Sequence, residues 1–145
     1  MGPSLCAICE KHKTLSDFII FEDNDLILSH MPVTPAQDAV YAGYCFIEPK
    51  KHLTELHELS DSSASKIGLW LRKLSLAHSE VLDVHRTYFF KFADITPHYH
   101  VHVYPRHLST PPELVGEAVR HWAEVPKLGR SEVLELVKKM KAYFL

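Results

Sequence analysis

No stretch of this 145-residue chain is long and apolar enough to cross a bilayer. The opening Met-Gly-Pro-Ser-Leu-Cys lacks the apolar centre of a secretion signal, so the expectation is a cytoplasmic chain with no membrane partner. An excess of positive charge is missing too, since 16 Lys and Arg face 18 Asp and Glu, a formal net charge of -2. A nucleic-acid polymer requires a basic face and is therefore not expected as a partner, whereas a small nucleotide stays compatible. Cysteine is scarce, and an odd count of 3 argues against a disulfide scaffold. Repeats, low-complexity tracts and linkers are absent. With 46% hydrophobic residues, 1–145 reads as one domain with a real core.

The pattern of what is present is α+β: an antiparallel sheet, one long helix and helices at the C-terminus. Phe18–Glu22 and Leu26–His30 read as strands joined by the turn Asp23-Asn24-Asp25. Residues 32–42, with Pro32 and Pro35, read as a connection. Gly43–Glu48 reads as a third strand, ended by Pro49. Ser60 is placed to cap a helix running to about Val84, with Ile67, Trp70, Leu71, Leu74, Ala77 and Val81 as its core stripe. Arg86–Phe92 and 99–104 read as two more strands. Thr110-Pro-Pro-Glu predicts a helix through Trp122, and Ser131 caps a last helix carrying Val133, Val137 and Met140.

Chemistry concentrates in three places. His98, His100 and His102 alternate in Pro97-His-Tyr-His-Val-His-Val-Tyr-Pro-Arg106, so a strand here carries them on one side. Imidazole serves as nucleophile, acid, base or metal ligand near neutral pH. The row suits a catalytic zinc or a histidine nucleophile equally well. Arg106 just beyond it has the planar fork that meets phosphate. Cys6-Ala-Ile-Cys9 is either a zinc pair or a redox dithiol, and zinc is favoured because no βαβ setting precedes it. Pro49-Lys-Lys-His52 is a basic turn or a fixed ligand position. Together with the cysteines and one histidine of the row, His52 completes a Cys2His2 set, but 42 residues separate Cys9 from His52. That gap is too long for a local finger, so such a site closes through tertiary structure. Cys45 reads as a small buried thiol.

These segments resemble the histidine triad superfamily. His98-Tyr-His-Val-His-Val-Tyr matches its motif of alternating histidines, and Pro105-Arg106 follows as in relatives. Gly43-Tyr-Cys-Phe-Ile-Glu-Pro-Lys-Lys-His52 is similar to its strand and turn, written Gly-His-x-Leu-Val-x-Pro-Lys-x-His. The N-terminal C-x-x-C is common in the zinc-bearing, bacterial-type members. The resemblance covers residues 5–106, while 107–145 matches no pattern of the family. It implies an α+β fold in a homodimer, acting on a nucleotide or nucleotide conjugate at the α-phosphorus through a covalent nucleotidyl-histidine. By position, His100 is the nucleophile and His102 contacts the phosphate or leaving group. Cys6, Cys9, His52 and His98 then bind a structural zinc.

Two departures shape the expectation. The usual Asn-x-Gly and Gln or Ser before the triad are replaced by Lys91-Phe-Ala-Asp-Ile-Thr-Pro97. Thr96 and Asp94 are the polar residues available there, and an acidic Asp94 repels phosphate. The ribose-binding carboxylate after the second strand is replaced by Ser29-His30-Met31-Pro32. The competing readings are a hydrolase using the histidine row as a catalytic zinc site, or a catalytically weak nucleotide-binding regulatory module. His12, His57, His78, His85, His107 and His121 read as surface or ordinary packing. Trp122, Tyr143 and Phe144 either pack the C-terminal helices or border the nucleotide pocket.

Overall fold

Alternation along the strands sorts the side chains onto two unlike faces of one sheet. The computed structural model describes residues 5–145. After a six-residue helix α1 (Ala7–His12) come β1 (Ile19–Glu22), β2 (Leu26–His30), β3 (Val40–Tyr41) and β4 (Cys45–Pro49). The long helix α2 (Asp61–Val81) precedes β5 (Val84–Phe90) and β6 (Val101–His107). A short β7 (Lys127–Leu128) and helix α3 (Arg130–Lys141) close the chain. The main sheet has the order β1-β2-β4-β6-β5 and is antiparallel throughout, while β3 pairs with β7 beside it. The expected α+β class is the observed one.

Cys45 and Ile47 of β4 and Val101 and Val103 of β6 point to the helix face. There they meet Ile67, Trp70, Leu74 and Ala77 of α2 and Val133, Val137 and Met140 of α3. Leu74 is fully buried; its truncation to Ala is the kind of change that costs roughly 2–5 kcal/mol. Ser60 caps α2 as expected, its hydroxyl accepting from the Ser63 N–H at 3.1 Å. The β1–β2 turn is held by the Asp23 carboxylate, which accepts from the N–H groups of Asp25 and Leu26 at 2.8 Å each. The alternate residues Tyr44, Phe46, Tyr88, Phe90, His102 and Tyr104 point to the opposite face. That face is roofed by Leu114, Val119, Trp122 and Val125.

The structure corrects several boundaries. The fifth strand begins at Val101 and runs to His107, so His98 and His100 lie on its lead-in and only His102 sits within it. No α-helix spans Thr110–Trp122. Turns lead instead to a 3-10 helix over Gly116–His121, because Val115 is extended and Gly116 has φ +57°. Arg106 also takes the carbonyls of Pro111 and Leu114, which a helix would need for itself. Residues 32–42 contain β3, whose pairing with β7 is invisible to any local pattern. The last helix starts at Arg130 behind Gly129, one residue before Ser131.

A histidine cage fixes the turn between β3 and β4. Gly43 has φ +86°, and a Cβ there would lie 2.8 Å from Leu82 and 2.9 Å from Pro105; only glycine fits. Its N–H donates to His30 Nε2 at 3.0 Å, and its carbonyl accepts from His78 Nε2 at 2.9 Å. His107 Nε2 donates to the neighbouring Ala42 carbonyl at 2.8 Å. All three rings are buried, so His78 and His107 are specific anchors of the backbone. The turn they hold presents Tyr44.

Candidate active site and metal centre

The row divides its histidines between two tasks. His98 is fully buried and turns Nδ1 toward Cys6 Sγ at 3.4 Å and Cys9 Sγ at 3.5 Å. His52 Nδ1 lies 3.6 Å from Cys9 Sγ. Bonds of about 2.3 Å to sulfur and about 2.05 Å to nitrogen, at tetrahedral angles, would separate S and N ligands by about 3.5 Å. The observed spacings therefore fit a shared zinc. The four ligand atoms lie within 4.8 Å of one another, and they form the one such group found among the described residues. His98 Nε2 donates to the Pro49 carbonyl at 2.8 Å, which turns the Nδ1 lone pair to the metal position. The donor set is that of a closed structural zinc site.

The ligands arrive from three places: Cys6 and Cys9 from α1, His52 from the turn after β4 and His98 from the lead-in to β6. Cys6 is the N-cap of α1, its sulfur 3.5 Å from the Cys9 N–H it accepts. A six-residue helix does not persist alone, so the ligand cluster is what docks it on the sheet. A second clamp follows: Lys11 and His12 both bind Glu48, which is fully buried. Burial alone would raise the Glu48 carboxyl, but His12 and Lys11 more than offset it and hold it below the usual range. Lys11 also lies 4.5 Å from the centre of the Phe46 ring on the open face.

His100 and His102 face away from the metal cluster, with ring centres 4.8 Å apart. His100 Nδ1 donates to the His98 carbonyl at 2.6 Å. That bond fixes the tautomer and leaves the Nε2 lone pair free. His102 Nδ1 lies 2.6 Å from the Tyr44 hydroxyl. Burial first, then the charges of His100 and Arg120, push His102 down to about 4, while burial pushes the Tyr44 phenol up to about 12. With both groups neutral, Tyr44 donates to Nδ1 and His102 carries its proton on Nε2. Phe90 stacks on the His102 ring at 4.4 Å and 10°, fixing its plane.

Two cavities meet at His102. One, of 360 Å³, runs past Met31, Tyr44, Phe46 and the C-terminal residues Arg120 to Ala123. The other, of 340 Å³, lies between Phe92–Thr96 and the His100 ring. Thr96 and Asp94 line this cavity together with His100 and His102. Arg106 is placed otherwise: its guanidinium is occupied by the Leu114 and Pro111 carbonyls and anchors the C-terminal roof. Arg120, Tyr44 and the Glu48 clamp were not foreseen. Tyr44 alone had a signal, standing where the motif has histidine.

Matches to known proteins come from structure alone. No family model matches the sequence, and no curated protein does. A Zn-bound histidine triad family protein from Mycobacterium smegmatis aligns with TM-score 0.67 and 17% identity, covering 99% of this chain and 97% of that one. A hypothetical histidine triad nucleotide-binding protein from Sulfolobus tokodaii aligns with TM-score 0.66 and 17% identity, over 95% and 91%. The C. elegans NitFhit protein aligns with TM-score 0.60 and 16% identity over 88% of this chain, which spans only 27% of NitFhit. The fold is the one these histidine triad proteins share.

Proposed function

We propose that this chain, built on the histidine triad fold, is a nucleotide hydrolase or nucleotidyl transferase acting at an α-phosphorus. The observation that carries this is the His100 Nδ1–H donated to the His98 carbonyl at 2.6 Å. It leaves the Nε2 lone pair oriented as a nucleophile on the wall of the 340 Å³ cavity, next to His102. The Nε2 lone pair forms a bond to phosphorus as the bond to the leaving group breaks, and the leaving group departs with that electron pair. Water then attacks the phosphorus of the nucleotidyl-histidine, releasing the nucleotide and restoring His100. A second acceptor in place of water makes the reaction a transfer. His102, with its proton on Nε2, donates to a phosphoryl oxygen throughout. The nucleotide-binding name of the Sulfolobus tokodaii neighbour supports the ligand class.

Cys6, Cys9, His52 and His98 would hold a zinc as a brace, and the Zn-bound neighbour supports that identity. Four protein ligands leave it no open position, so it supplies stability rather than an activated water. Free thiols committed to a metal favour a reducing compartment such as the cytoplasm. A homodimer is supported by the edge strand β5, with Phe89 60% and nearby Phe92 53% exposed, and by Leu69 and Leu76 on one face of α2. Rapid-quench trapping of an acid-labile phosphohistidine on His100, across nucleoside phosphoramidates, dinucleoside polyphosphates and sugar nucleotides, tests the reading. Turnover of any of these with no trapped intermediate, and with activity surviving in His100→Ala, would refute it.

A further inference from the structure

The segment beyond the triad strand carries a cation that the chemistry above leaves without a task. Arg120 lies in the 3-10 turn Gly116–His121 and lines the 360 Å³ cavity together with His102. Its guanidinium carbon sits 4.8 Å from the centre of the Phe90 ring. Phe90 in turn stacks on His102, so one aromatic ring contacts both the arginine and the histidine. One terminal nitrogen donates to Glu117 at 2.6 Å, and the group lies beside the Tyr44 hydroxyl. Its Nε is buried and has no hydrogen-bond partner among the described residues. A guanidinium has five donors, and those not taken by Glu117 and Tyr44 remain for a ligand.

The charges around the two cavities are unequal. Lys127 and His121 line the Arg120 cavity with no carboxylate among its lining residues. The cavity on the far side of His100 is lined by Asp94 and by no lysine or arginine. Arg106, the cation nearest the triad in sequence, is already bound to two carbonyls. We propose that Arg120 is the phosphate-binding residue of this site: it receives the anionic oxygens of a nucleotide in the His102 cavity and selects phosphorylated over unphosphorylated nucleosides. This rests on the nucleotide reading. The Phe90 platform holds the fork in place before the ligand arrives, Glu117 occupies one terminal nitrogen and competes with the incoming anion, and planar guanidinium matches two phosphoryl oxygens at once.

The test is calorimetric titration of the full chain with adenosine and AMP, and in parallel with guanosine, uridine and cytidine and their monophosphates. For a base that binds, Arg120→Gln should weaken the monophosphate tenfold or more and leave the nucleoside within twofold. Arg120→Lys, which keeps the charge, should recover at least threefold of that loss. Glu117→Gln frees the guanidinium from its carboxylate and should tighten the monophosphate about threefold without moving the nucleoside, a reading that stands even if Gln at 120 prevents folding. Equal losses for nucleoside and monophosphate, or unchanged monophosphate binding in the Arg120 and Glu117 variants, overturn the assignment of Arg120 alone. A wild-type chain that binds no monophosphate overturns the nucleotide reading, and this proposal with it.

Discussion

Acid should unfold this protein through its histidine cage, and His78→Gln should blunt the effect. Burial pushes His30 down to about 4, and burial first, with the charges of His30 and His107 adding, pushes His78 to about 3. Free histidine titrates near 6.5. Between 6.5 and these folded values, the unfolded chain takes up a proton that the folded chain refuses. Stability is thus intact above pH 6.5 and falls as pH drops, by about 1.4 kcal/mol per pH unit for each such ring. From pH 6.5 to 4 each of the two rings removes about 3 kcal/mol, about 6 kcal/mol together. A domain this size has roughly 5–15 kcal/mol in all. His107, lowered by burial, adds in the same direction. Gln at 78 can keep the bond to the Gly43 carbonyl and cannot be protonated. It gives up the Thr87 contact now made at 2.9 Å by Nδ1, a loss of about 1 kcal/mol at every pH. Urea melts at half-unit steps from pH 7 to 4.5 should show the variant weaker at pH 7. Its stability should then fall more shallowly than wild type, by about 1.4 kcal/mol per pH unit below pH 6. Zinc release in acid affects both chains alike and drops out of the difference. Parallel stability curves would mean that burial of His78 does not oppose its protonation, and the argument would fail.

His100→Ala should lose several orders of magnitude in turnover with fold and zinc content retained; more than about a tenth of wild-type activity in a steady-state assay would remove it as nucleophile. Cys6→Ser should lower the melting temperature and zinc content more than the rate measured at low temperature, and freshly purified, unchelated wild type without zinc by metal analysis would count against the site. Trp122→Ala should weaken nucleotide binding in the His102 cavity that it lines, and equal affinities by titration would leave Trp122 a packing residue only. Light scattering should give a dimer for the wild type and a shift toward monomer for Phe89→Lys, whose side chain is exposed on the edge strand; a monomeric wild type ends that proposal.

Local signals carried much of this structure. The α2 stripe from Ile67 to Val81, the Asp23 turn and the individual strands of the sheet rest on periodicity and turn chemistry, and these act over a few residues. Cys6, Cys9 and His52 were legible as part of a zinc set because cysteine is scarce, with 3 in the chain; that His98 is the row's contribution followed from the family resemblance. Arg106 and Arg120 mark the limit. Both are arginines near a strand or turn, and nothing within a few residues tells a free guanidinium from one that binds carbonyls. The difference arises from where Pro111 and Leu114 fold back, which is a tertiary fact. The cage is similar: His30, His78 and His107 are far apart in sequence and gain meaning only around Gly43.

Arg106 and Arg120 are nevertheless coupled. By holding the carbonyls of Pro111 and Leu114, Arg106 stops residues 110–122 from winding into an α-helix and bends them over the open face of the sheet. Val119 and Val125 then bury against Tyr41, Tyr44 and Tyr104, and β7 pairs with β3 to fix the far end of the segment. Arg120 and Trp122 lie between these anchors and reach the wall of the His102 cavity. The arginine that follows the triad strand thus acts on the site at one remove, by positioning the segment that carries the other. Substitution of Arg106 should therefore disturb ligand binding together with stability, because the roof loosens as a unit. Substitution of Arg120 should disturb binding alone. That contrast separates a residue that shapes the pocket from one that touches what enters it.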